Sequence, residues 1–173
     1  MFFVLSVQFG AVQFLVLTTI GGFFALFQWR QNYKLKRAEL IKEALSKIRD
    51  EKEFAIVLYA IDYGEKWYTR EFLDDHSKEQ KFDMVFAYFD YLCYLKNKYI
   101  FSKSEFRVFE YRIKRMTRNR SFMNYMFNLY HFSTKNKTDM SFYHLLMYMK
   151  KNELIIKDFW NPNSKKFEKL LNF

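Results

Sequence analysis

Three histidines (His76, His131 and His144) and one cysteine (Cys93) are the side chains best suited to catalysis or metal binding in this chain of 173 residues. A metal centre wants histidines or carboxylates spaced at i, i+3 or i+4, or paired across helices. Asp74, Asp75 and His76 are consecutive, so their side chains diverge, and no second half of a site accompanies them. Cys93 falls on an apolar stripe beside Phe89 and Leu92, where a thiol packs as a small hydrophobe. A nucleophile would want partial exposure and an activating base. With Gly64 the only glycine beyond Gly22, a phosphate-cradling P-loop is excluded. Carboxylates crowd residues 50–80, yet spacing singles out no acid/base pair. They read more simply as a solvated face or as counterparts to basic residues in an oligomer. No catalytic residue, metal or cofactor is assigned, and the chain is not expected to be an enzyme.

One constellation stands out. FRVFEYRIKRMTRNR, Phe106 to Arg120, gathers Arg107, Arg112, Lys114, Arg115, Arg118 and Arg120 around Tyr111, diluted by Glu110. Such a patch suits nucleic-acid phosphates or anionic lipid headgroups. It equally suits a solvated helix face paired with the acidic segment. All three readings stay open.

The elements that must carry these residues begin with a 28-residue run, Phe2 to Trp29, that holds no charge. A span of hydrocarbon takes about 20 residues. A secretory signal would show a basic start, a shorter apolar core and a small-residue cleavage site. The run therefore predicts a transmembrane helix. Trp29, Arg30, Lys34, Lys36 and Arg37 mark its inner edge, with the N-terminus outside and the remainder cytoplasmic by the positive-inside rule. Ser6, Gly10, Thr18 and Gly22 share one stripe, and small residues there would let a second helix approach, so Gly10, Thr18 and Gly22 are candidate self-association positions. The formal net charge of +10 is banded: residues 30–49 are basic, 50–80 acidic and 103–121 basic again.

Beyond the collar the pattern is helical. No glycine or proline occurs between Glu65 and Asn161, which disfavours a sheet with tight turns. Leu35, Ala38, Ile41, Leu45 and Ile48 fall on one face, so the first helix is expected to continue to about Arg49. Asp50 is a candidate cap for a helix that Gly64 ends, and Ser77 for a long helix with Phe82, Val85, Phe86, Phe89 and Leu92 inward. Ser102 or Ser104 opens the next, with Phe106, Phe109, Ile113 and Met116 inward. Another starts near Ser121, and Asp139 or Ser141 caps the last. The expected fold is all-α: residues 1–30 the N-terminal segment and membrane helix, 31–50 a basic juxtamembrane helix, 51–160 a cytoplasmic bundle of about five helices, 161–173 a frayed tail.

Residues 82–129 carry an aromatic-Asp/Glu-Tyr-Leu-Cys helix, then EF…F-x-Y, then N-x-x-F-x-x-Y. The pattern resembles a loose group of uncharacterised bacterial single-pass membrane proteins with an N-terminal anchor and a small cytoplasmic helical domain. The stretch 36–63 is similar to the segment just after the anchor in that group. The resemblance implies this architecture, a bacterial inner membrane and a role in defence, and brings no catalytic residues. The expected function is a non-enzymatic interaction module that binds a protein partner or self-associates at the bilayer. An oligomerising membrane effector and a membrane-tethered nucleic-acid binder are the alternatives.

Overall fold

A computed structural model describes the backbone of residues 2–173 and the side chains from Leu17 onward. Among the described residues the fold is all-α, with seven α-helices, one 3-10 turn and no strand. The chain divides into two compact units, Met1–Ala44 and Leu45–Phe173.

The first unit belongs to α1 (Phe2–Asp50), which runs on past the basic collar without a break, as the absence of Gly and Pro there predicts. From Leu17 to Lys36 every residue is exposed, apolar ones included. Trp29 and Tyr33 stack one turn apart with centroids 6.0 Å apart, and the Arg37 guanidinium lies 5.5 Å from the Tyr33 ring. Leu35 and Ala38 are exposed, while Ala44 and Ile48 are buried, so the inward stripe begins later than the apolar spacing suggests. The described apolar stretch, 17–29, is shorter than the about 20 residues a span takes. No helix among the described residues is long and apolar enough to cross a membrane. The expected anchor is thus unsupported by them, and Gly10 lies outside the residues whose side chains are described.

In the second unit α2 (Lys52–Asp62), α4 (His76–Asn97), α5 (Lys103–Arg118), α6 (Arg120–Asn136) and α7 (Tyr143–Lys151) form a bundle, with the short α3 (Arg70–Asp74) leading into α4. Helix α4 packs against α2, α3, α5 and α7. Helix α6 is the most enclosed, with every residue from Ser121 to Asn128 buried. The stripes expected on α4 and α5 face inward, and on α7 Leu145, Leu146 and Met149 are buried. The twelve largest fully buried side chains are all Phe or Tyr, so aromatic rings make up much of the core. Each such burial contributes roughly 1.5–3 kcal/mol, and favourable ring pairs add about 0.5–1.5.

Helix ends show where local rules held and where packing replaced them. Ser102 and Glu105 form a capping box: the Ser102 hydroxyl accepts from Glu105 N at 3.3 Å, and Glu105 Oε2 accepts from Ser102 N at 2.7 Å. Gly64 ends α2 in the left-handed conformation, φ 70°, with Glu65 N donating to Ala60 O at 2.9 Å. Asp50, however, is the last residue of α1, its carboxylate drawn 2.8 Å from Arg49 Nε, and Glu51 starts α2 without a side-chain cap. Asp75 rather than Ser77 caps α4, accepting from Lys78 N at 3.0 Å. Neither Asp139 nor Ser141 caps α7. Asp90 does so from α4, accepting from Leu145 N at 2.7 Å.

Residues 65–69 form an irregular segment that sends Trp67 and Tyr68 into the core. Trp67 lies 4.3 Å from Phe82 and 5.1 Å from Phe72 between centroids, and Tyr68 5.3 Å from Tyr125. The C-terminal segment is held rather than frayed. Asn128 Oδ1 accepts from Leu170 N and Leu171 N at 2.8 and 2.9 Å, and Asn128 Nδ2 donates to Glu168 O. Phe167 stacks on Phe127 at 4.5 Å.

Candidate interaction surface

Helix α5 carries the basic block and presents two different faces. Its inner stripe places Arg112 and Arg115 beside the end of α2, because residues three apart lie on adjoining parts of one face. Asp62, the last residue of α2, meets both. Its Oδ2 lies 2.9 Å from Arg112 Nη1, its Oδ1 lies 2.6 Å from Arg115 Nε, and its carbonyl accepts from Arg115 Nη2 at 3.1 Å. Arg115 Nη1 also donates to Tyr111 Oη at 3.4 Å. Asn119 Nδ2 donates to Ile61 O, a second tie between α2 and the α5–α6 junction. Lys114 pairs with Glu110 at 2.8 Å.

The six candidate cations are therefore divided. Arg112 and Arg115 are engaged by Asp62 of the acidic segment, and Lys114 by Glu110 of its own helix. Arg107, Arg118 and Arg120 are exposed and make no ion pair among the described residues. With Tyr111, Arg107 and Arg118 fall on the outer stripe of α5 at helical spacing.

Beside that stripe lies a groove of about 540 Å³ between the last turn of α1, α2 and α5. Leu45, Ile48 and Leu58 line it together with Tyr59, Val108 and Tyr111, and Arg112 and Asp62 stand at its edge. Ile56 and Tyr59 on α2, Tyr63 just after it, and Val108 and Tyr111 on α5 leave large apolar surface exposed. Tyr59, Val108 and Tyr111 belong both to this exposed set and to the lining of the groove. Nothing in the spacing of these residues singles them out, since they sit on two helices brought together by Asp62.

The histidines and the cysteine take structural places. His131 is buried with Nε2 2.9 Å from Phe159 O, and its ring packs against Phe127 and Phe173. Burial pushes its pKa down. His144 lies against Tyr94, and His76 is exposed at the start of α4. Cys93 is buried, which raises its thiol pKa well above the ordinary range. Among the described residues no group of His, Cys, Asp or Glu is placed to hold a metal ion.

Two carboxylates one turn apart on α4 are unusual. Asp83 accepts from the buried Tyr125 hydroxyl, and burial raises its pKa against the opposing effect of that bond. Burial and the charge of Asp83 raise Glu79 as well. Nearby, the Tyr68 hydroxyl and Trp67 Nε1 are buried without a hydrogen-bond partner among the described residues.

Of the self-association positions, Thr18 and Gly22 are exposed on one stripe of α1, and a Cβ added at Gly22 would meet nothing within 4 Å. Comparison with known protein families, with curated proteins and with solved structures finds no match.

Proposed function

We propose that this chain is a single-pass protein of a bacterial inner membrane, N-terminus outside. Its cytoplasmic helical bundle binds a protein partner or a second copy of itself. The supporting observation is the described part of α1. From Leu17 to Trp29 it is uncharged, mostly apolar and exposed on every side, and Arg30, Lys34, Lys36 and Arg37 follow. Water is a poor solvent for such a surface, and a helix apolar all round belongs in a protein core or in lipid. Joined to the uncharged residues before Leu17 it reaches the length of a span. The collar then holds the helix end at the anionic leaflet, at ~1 kcal/mol per Lys or Arg near the surface. The groove beside Tyr59 and Tyr111, on whose helix α5 Arg107 and Arg118 also stand exposed, favours a partner helix with an apolar ridge and acidic flanks.

Fractionation tests the anchor. The intact chain is expected in the pellet of a high-speed spin of lysed cells, resistant to alkaline carbonate and released by detergent. Recovery in the detergent-free supernatant overturns the proposal. Reporters at the two ends test orientation: replacing Arg30, Lys34, Lys36 and Arg37 with Glu should scramble it, and an unchanged orientation counts against the assigned role of the collar.

The open surface at Gly22 favours a second reading, an oligomerising effector assembled through Gly10, Thr18 and Gly22. In that case Gly22→Leu should relieve the growth arrest caused by overexpression, and arrest that ignores the substitution removes this reading. A tethered nucleic-acid binder would rest on Arg107, Arg118 and Arg120. Its binding must weaken steeply with salt.

A further inference from the structure

A second cavity, of about 230 Å³, lies at the opposite edge of α5, where the C-terminal ends of α4 and α7 meet the first turn of α5. Lys96, Lys103 and Lys151 line it, together with Phe106 and Tyr148, which are buried beneath. Lys103 and Lys151 are exposed and have no acidic partner among the described residues, while Lys96 reaches only the carbonyl of Phe101, at 3.4 Å. Glu110, the one carboxylate lining the cavity, is already paired with Lys114. Three lysines lining one small hollow make it a cationic site, which favours an anion.

The rim carries a second signal. Tyr99 occupies the position after α4 that glycine ordinarily fills, at φ 59°, with Ile100 N donating to Leu95 O and Tyr99 N to Lys96 O. A left-handed conformation is unfavourable for a bulky residue. Tyr99 is 87% exposed and gains no core burial in return. The cavity thus offers cationic groups inside and a bare aromatic face at its mouth.

From these two features we infer that the cavity binds a small phosphate monoester bearing a planar ring, of the nucleoside monophosphate class. The phosphate sits among Lys96, Lys103 and Lys151, the sugar lies over Phe106 and Tyr148, and the base stacks on Tyr99. The volume suits the phosphate and sugar and leaves the base at the rim, where stacking tolerates any base. This inference is independent of membrane attachment.

Calorimetric titration of the full-length chain in neutral detergent tests it, with adenosine 5′-monophosphate and ribose 5-phosphate as probes. The nucleotide is expected to bind saturably and roughly tenfold more tightly than the ring-free phosphate, the range of one base–aromatic stack. Lys103→Ala and Lys151→Ala should weaken both probes. Tyr99→Gly should bring the nucleotide down to the level of ribose 5-phosphate without lowering the melting temperature, because glycine suits the turn. Three outcomes overturn it: no saturable nucleotide binding, equal affinity for the two probes, or a Tyr99→Gly protein that keeps the preference.

Discussion

Asp83 shows how burial and hydrogen bonding compete at a single carboxyl. The Tyr125 hydroxyl favours the ionised form, yet burial disfavours it more, so the pKa in the folded protein lies above that of the unfolded chain. Below the unfolded value the group is protonated in both states and carries no penalty. As pH rises through the folded value, ionisation costs stability. Asp83→Asn removes the charge and keeps an acceptor for Tyr125. The variant should be at least as stable as the parent at pH 7, with the gap closing towards pH 4, as measured by urea unfolding. A wider gap in acid would contradict the assignment. Asp62 is instead clamped between two guanidinium partners. Asp62→Ala should lower the urea midpoint and loosen α5 from α2, and Arg112→Ala made on that background should cost less than it does alone. The place of Cys93 in the core could be read from its stripe. The roles of Asp62 and Asp83 could not, because their partners lie 42 or more positions away.

Helices divide into those whose ends are written locally and those finished by neighbours. Ser102 with Glu105 is legible from spacing alone, and so is Gly64. The start of α7 is not, since its cap comes from Asp90 on α4. Asp90→Ala should therefore cost about 1 kcal/mol, the usual worth of an N-cap, while Asp139→Ala and Ser141→Ala should leave the urea midpoint nearly unchanged. Equal effects at all three positions would refute the borrowed cap. The C-terminal segment illustrates the same limit. Its sequence reads as polar and broken, but Asn124 and Asn128 supply acceptors for its backbone, Glu168 N meeting Asn124 Oδ1 at 3.2 Å. Asn128→Ala leaves buried N–H groups without acceptors and should cost about 1–3 kcal/mol. Faster hydrogen exchange at Leu170 and Leu171 should accompany that loss.

At the scale of the whole molecule, the class of fold was plain from glycine and proline scarcity and from the inward stripes, which needed only local periodicity. The interior arrangement was less so. Trp67 and Tyr68 sit in an irregular segment with no period to betray them, yet they join the central aromatic cluster with Phe72, Phe82 and Tyr125. The groove beside Tyr59 was also hidden, as it exists only once α2 and α5 are clamped. Since the bundle core lies within the second unit, the fragment from Lys34 onward should unfold cooperatively and stay in solution without detergent. A fragment that aggregates or melts without a transition would mean that the bundle needs the preceding residues.

Four described residues other than glycine hold left-handed backbone: Tyr99, Lys137, Phe142 and Glu153. A chain so poor in glycine leaves thermal hardiness unrealised. Lys137 and Glu153, placed just after α6 and α7, can be exchanged for glycine well away from the groove, giving sturdier material for crystallisation trials and a ready check on how far evolution has left this fold from its ceiling.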